Sequence, residues 1–301
     1  MASPAWEAAY ERMLRDLIRH IESSDYADRI IGYQPAGGSS SEWIWWGSHN
    51  RPNPRCIDYS PAAQNRFRQW LRERYNDDTA ALRRAWNDER VEFETAEVPS
   101  GKFREATEYG LFRDVKVAGQ VIDYLQFMSD IKTHNIIRSC RIVKEETQGR
   151  KLAGVFYGYS MHFAHTGWIT YNDGKCDLEK VLASPHVDFL CSPSQYEAQA
   201  AGEPGLFQSG YFGSYRLHNK IFWQEADIRT HLVVPPDSFA YTAADLRETL
   251  GLMGREFGNA LAEMNGLWWF TLAGDHTFRD KEIMDRVARF SDEAREAVKH
   301  R

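Results

Sequence analysis

The sequence predicts an α/β fold, an incomplete TIM-type (β/α) barrel of about five parallel strands. Two observations carry this. From residue 152 onward, short apolar runs alternate with amphipathic helical segments, the pattern of strands joined by helical crossovers. The runs are apolar throughout rather than alternating, so both faces of the sheet are covered. About five such runs occur where a closed barrel of this kind has eight.

The elements follow in order. Tyr10, Leu14, Leu17, Ile18 and Ile21 recur at helical spacing behind Ser3-Pro4, which suits an N-cap and a first turn. RIIGYQ (29–34) reads as a buried strand, and the Gly/Ser-rich PAGGSSSEW as the loop after it. Helical periodicity returns at 62–75 and 79–87 across an Asn-Asp-Asp turn, and again from 113 to 148, where Gly149 ends a long stripe. The stretch 88–112 is too polar for buried strands. Strands are then expected at 152–160, 187–196, 220–230 and 266–274, with helices at 177–184, 208–218, 243–264 and 280–299. No linker or repeat interrupts this order, so residues 1–301 are expected to form a single partial-barrel domain.

Composition narrows the partners. A net charge of −6 argues against a nucleic-acid groove or an anionic membrane surface, both of which call for a basic face. Aromatic residues make up 13% of the chain, with 10 Trp, 14 Tyr and 16 Phe; such rings stack on the apolar C–H faces of sugars as well as filling cores. Cys56, Cys140, Cys176 and Cys191 have no C-x-x-C spacing and read as free thiols of a reducing compartment. The absence of a long apolar run and of a signal-peptide core at the N-terminus reads as cytoplasmic.

In parallel α/β barrels the working residues come from the C-terminal ends of strands and the loops that follow. Those positions hold Gln34 and Glu42 with Trp43 and Trp46, then Tyr157, Tyr159, His162 and His165, then Gln195 and Tyr196. Trp223, Gln224, Glu225, Asp227, Trp268 and Trp269 complete the set. Glu225 directly follows the apolar run IFW, where a carboxylate must be paired or hydrogen-bonded. A buried salt bridge to Arg229 or another arginine is the structural alternative for it, and a solvated loop acid the alternative for Glu42. Taken as a pair, two glutamates on different strand ends suit glycoside hydrolysis, in which one carboxyl protonates the leaving oxygen and the other attacks. His162 and His165 have no third metal ligand nearby and read as lining of a substrate subsite, so no metal or cofactor is expected.

DYADRIIGYQPAGGSSSEW, DYSPAAQNRFRQWLRERYNDDTAALRRAW, NKIFWQEADIRTHL and GLWWFTLAG together resemble the β-galactosidases of glycoside hydrolase family 42 and their clan A relatives. The resemblance spans nearly the whole chain. It implies that the five strands correspond to barrel strands 4–8, with the first three βα units lacking. It implies Glu42 as acid/base and Glu225 as nucleophile, with Trp269, ahead of Trp268, flooring the sugar subsite. Tyr196 matches the tyrosine that hydrogen-bonds the nucleophile in that clan. Two features depart from the pattern: Ser41 stands where the clan places Asn before its acid/base, and Cys56 is alone where the family carries a cysteine-rich zinc site.

The function expected is a retaining glycoside hydrolase acting on a β-galactoside or related β-glycoside. The alternative is a truncated barrel remnant that binds carbohydrate with weak or no turnover. Open sheet edges and an uncovered barrel side lead to the expectation of a homodimer or higher homo-oligomer.

Overall fold

The computed structural model describes residues 1–46, 58–105, 113–157, 175–194, 196, 199–200, 202–203, 210–236, 240–272, 274 and 276–300. Five strands, β1 (Gly32–Tyr33), β2 (Leu152–Phe156), β3 (Phe189–Pro193), β4 (Ile221–Ala226) and β5 (Gly266–Trp269), form a parallel sheet in chain order. The helices are α1 (Pro4–Glu22), α2 (Pro61–Tyr75), α3 (Thr79–Trp86), α4 (Gly101–Glu105), α5 (Gly119–Glu146), α6 (Leu178–Ala183), α7 (Phe212–Leu217), α8 (Leu246–Ala262) and α9 (Lys281–Lys299). This is the α/β, incomplete-barrel architecture that the strand count predicts. The chain packs as two compact units, Met1–Phe189 and Leu190–Arg301. No described helix is long and apolar enough to cross a membrane.

In the first unit, α1 begins where the Ser3 hydroxyl accepts the Trp6 amide proton and Pro4 takes the first turn. It packs along α5, burying Leu14 and Ile18. Charge reinforces that seam: Arg15 pairs with Glu11, Glu145 and Glu146, Arg19 with Glu146, and Arg138 with Glu7 and Glu11. α2 and α3 are each stopped by an asparagine in the left-handed conformation, Asn76 and Asn87. Phe67 of α2 is fully buried, its ring 5.2 Å from those of Tyr124 and Phe127. Beside this cluster the buried Asp123 accepts hydrogen bonds from Tyr75 Oη (2.7 Å) and Trp86 Nε1 (2.8 Å) and pairs with Arg74, so its charge is satisfied by three neighbours.

The periodicity from 113 overstates α5, which begins at Gly119. Asp114 Oδ1 accepts the Lys116 amide proton at 2.9 Å and turns the chain, leaving Val117 of the apolar stripe exposed. A Cβ on Gly119 would lie 2.0 Å from the Ala85 carbonyl oxygen, so only glycine permits α5 to start against the end of α3. The strands are likewise shorter than the apolar runs that mark them. β1 keeps only Gly32 and Tyr33, paired with Leu152 and Ala153 of β2. The Gly/Ser-rich stretch read as plain loop contains a small ribbon, Gly37–Gly38 against Glu42–Ile44.

In the second unit β4 and β5 pair in parallel, with Trp223 opposite Gly266, Gln224 opposite Leu267, Glu225 opposite Trp268 and Ala226 opposite Trp269. Asp245 caps α8 and Asp280 caps α9. Leu252 and Met253 of α8 and Ile283 and Phe290 of α9 form the core on that side, where the Phe257 and Phe290 rings stack at 4.3 Å.

Candidate active site

The end of β4 carries the second unit's most distinctive residues. Strand alternation sends Trp223 and Glu225 to one face and Gln224 and Ala226 to the other. The register with β5 then puts Trp268 beside Glu225 on the first face, and the Trp223 and Trp268 rings meet edge to face at 5.8 Å. Glu225 is 5% exposed. Its carbonyl oxygen accepts two backbone N–H groups, from Ser194 at 3.1 Å and from Asp227 at 3.1 Å, which fixes the backbone on either side of the carboxyl group.

The opposite face has its own polar cluster. Glu256 of α8, 3% exposed, accepts a hydrogen bond from Ser194 Oγ at 2.7 Å and another from Gln224 Nε2. Gln224 Nε2 also reaches Ser194 Oγ at 3.3 Å. Burial pushes the Glu256 carboxyl pKa upward, and the opposing pulls of the Ser194 hydroxyl, Arg255 and Gln224 do not cancel it. Trp269 belongs to this face too, packed against Phe290 (ring centroids 6.0 Å apart) and Phe278 (6.3 Å). The family resemblance ranked Trp269 above Trp268 as the subsite floor; the register reverses that order, because Trp269 points into the helical core.

Beyond β4, Asp227 and Arg229 are both buried and form an ion pair. Tyr196 Oη donates to Asp227 Oδ2 at 2.8 Å. This tyrosine contact runs to the acid two places beyond Glu225, which also pairs with Arg229.

In the first unit, Glu42 opens the second strand of the ribbon and is half-buried. Three residues around it hold positive φ, Ser40 (55°), Ser41 (63°) and Trp43 (60°). Left-handed backbone costs a non-glycine residue on the order of 1 kcal/mol, and such strain persists where the surroundings hold the chain in one geometry. Trp43 is fully buried: its Nε1–H donates to the Pro35 carbonyl at 3.0 Å, Tyr10 lies edge-on at 5.9 Å, and a Cβ on Gly37 would come 2.8 Å from its ring. The subsite role expected of Trp43 needs an open ring face, and these contacts leave none. Tyr157, just past β2, is also fully buried, its Oη accepting the Asp177 amide proton at 2.9 Å, and burial pushes its pKa up; it too is a packing residue. Trp46 is 65% exposed, and Gln34 directly follows β1, half-buried. Tyr159, His162 and Gln195 lie outside the described residues, as do His165 and Cys56.

Each unit thus carries one candidate acid: the half-buried Glu42 in the loop after β1 of the first, and the buried Glu225 near the C-terminal end of β4, with Trp268 in register beside it, of the second. Residues 40–177 match the family model Glyco_hydro_42, beta-galactosidase. That match takes in Glu42, α2 and α3 and ends before Glu225. Among solved structures the chain is similar to the beta-galactosidase of the psychrophilic Marinomonas ef1, at 16% identity and a TM-score of 0.51, covering 89% of this chain and 37% of that one. It is also similar to the catalytic domain of the beta-amylase from Paenibacillus polymyxa, at 12% identity and a TM-score of 0.48, covering 94% of this chain and 60% of that one. The chain therefore spans less than two thirds of either relative. No curated protein matches. The fold is an incomplete α/β barrel similar to part of that beta-galactosidase, and the chain resembles glycoside hydrolase family 42. Among the described residues no group of three or more His, Cys, Asp and Glu side chains is arranged to hold a metal ion.

The Glu256 cluster is the feature that sequence reading passed over, although it left a signal. Thr249, Leu252, Met253, Glu256 and Ala260 form the buried stripe of α8, and an acid at a core position of an amphipathic helix calls for a partner.

Proposed function

We propose that this chain is a retaining glycoside hydrolase acting on a β-galactoside or related β-glycoside, with Glu225 as nucleophile and Glu42 as general acid/base. The observation that carries this reading is the placement of Glu225. It is a buried carboxylate at the C-terminal end of a parallel barrel strand, its backbone held by two N–H donors and a tryptophan in register beside it. In the first step Glu225 attacks the anomeric carbon while the protonated Glu42 gives its proton to the departing oxygen. In the second, Glu42 takes a proton from water, which displaces Glu225 from the sugar. Trp268 and Trp223 offer the apolar surface on which a sugar ring stacks, and Trp46, with its exposed indole, is an outer contact. No cofactor is needed.

A second reading is favoured by one observation: five strands stand where a closed barrel has eight. A remnant of this kind binds sugar without turning it over. Mass spectrometry after incubation with a 2-deoxy-2-fluoro β-galactoside separates the two. A covalent adduct on Glu225, absent in Glu225→Gln, is the expected result. Galactoside binding with no adduct and no hydrolysis favours the remnant, and an adduct on another residue removes Glu225 from the mechanism.

A further inference from the structure

Glu225 and Glu256 are both buried acids, yet they serve opposite faces of β4. Glu256 reaches from α8 and binds two side chains, those of Ser194 and Gln224. Each belongs to the backbone that surrounds Glu225: Gln224 precedes it in the strand, and the Ser194 N–H donates to its carbonyl oxygen. The side-chain amide oxygen of Gln224, Oε1, is fully buried and has no donor among the described residues. The upward pull of burial on this carboxyl favours the protonated form. Arg255, the charged neighbour on α8, directs its guanidinium to the carbonyl oxygens of Gln199 and Ala200 instead.

We propose that Glu256 is a positioning residue: from the helix side of the sheet it clamps Ser194 and Gln224, and so fixes the strand end that presents the Glu225 carboxyl on the other side. As an effect on turnover this rests on the glycosidase reading; as a restraint on backbone it does not. Both hydrogen bonds end on Glu256 Oε2, so the clamp needs one acceptor oxygen there, which the side-chain amide oxygen of a glutamine also supplies. Glu256→Gln therefore preserves it, Glu256→Leu of similar size removes it, and Ser194→Ala removes one arm at little cost to the fold.

Two measurements test this. On an aryl β-galactoside, Glu256→Leu and Ser194→Ala should lower kcat by about 10-fold or more with KM within about 2-fold, because misplacing a reacting group by 1 Å can cost roughly 100-fold. Glu256→Gln should stay within about 3-fold of the parent. Independently of turnover, hydrogen exchange at the Ser194 and Asp227 amides should accelerate in Glu256→Leu and Ser194→Ala and stay unchanged in Glu256→Gln, with β2 unaffected in all three. Unaltered exchange at both amides overturns the proposal, as does a variant that loses thermal stability while its folded fraction keeps full kcat. If the parent neither hydrolyses the galactoside nor forms an adduct, the glycosidase reading fails and the exchange measurement alone decides the clamp.

Discussion

Trp268 and Trp269 are neighbours in sequence with opposite surroundings, and substituting each by alanine separates them. Trp269 packs against Phe290 and Phe278 in the α8/α9 core. Truncating a fully buried Trp costs about 3–5 kcal/mol, and Trp269 is only partly buried, so about 3 kcal/mol is expected. Trp268 meets the Trp223 ring edge to face at 5.8 Å. An edge-to-face pair is worth about 0.5–1.5 kcal/mol beyond its area, and the half-buried Trp268 also loses part of its buried area, so Trp268→Ala should cost about 2 kcal/mol. With a urea m-value of roughly 3 kcal/mol/M, the midpoints should fall by about 1 M for Trp269→Ala and about 0.7 M for Trp268→Ala, as followed by far-UV circular dichroism. Galactoside affinity, measured by calorimetry, should move the other way, weakening in Trp268→Ala and holding in Trp269→Ala. Equal midpoints, or a larger stability loss in Trp268→Ala, would refute the assignment of faces.

Two further outcomes are expected. Glu42→Ala should slow galactosides with poor leaving groups by about 100-fold or more, and activated aryl galactosides far less, with azide restoring the second step; equal losses on both substrates, unmoved by azide, would remove Glu42 as acid/base. In the α1–α5 seam, hydrogen bonds from Arg15 and Arg138 hold the Glu11 pKa down, and those from Arg19 and Arg15 do the same for Glu146. Because these folded-state pKa values lie below the ordinary 4.5, the stability they contribute is present above that pH and is lost as pH falls through the lowered values. The Tm should therefore drop on acidification, and drop less in Arg15→Gln; identical acid slopes in the two proteins would count against the seam.

Where their signals are local, as in α1, α2, α3 and α9, helices were legible to within a residue or two, whereas the short α4, inside the polar stretch 88–112, was not expected. Ser3-Pro4, Ser60-Pro61 and Asp78 mark starts, and Asn76 and Asn87 mark stops. The order of apolar runs also sufficed to place all five strands of the sheet. Strand lengths were not legible, since an apolar run marks burial and burial continues past the last ladder hydrogen bond: Ile228 and Val233, beyond β4, are as inaccessible as Phe222 within it. The late start of α5 escaped for a different reason. It depends on the carbonyl of Ala85, more than thirty residues upstream, meeting a glycine.

The site was legible where chemistry depends on residue type and obscure where it depends on which way a side chain faces. Trp43, Tyr157 and Trp269 have the right identity for a sugar subsite and lie at the right places along the chain, yet contacts across the fold bury them or turn them to the core. Burial and pKa perturbation are no safer as guides. A strongly perturbed carboxyl in a fold is ordinarily a candidate for catalysis, and by that measure Glu256, with its raised pKa and 3% exposure, would stand ahead of Glu225 at 5%. Register decides differently. Glu256 enters from α8 and accepts hydrogen bonds from Ser194 and Gln224 on the helix side of β4, whereas Glu225 shares its face with Trp223 and Trp268. A carboxyl that must attack a sugar needs an apolar platform beside it, while one that anchors a strand needs donors alone. On the proposed reading, the adjacent positions 224 and 225 answer these two requirements, one on each side of a single strand.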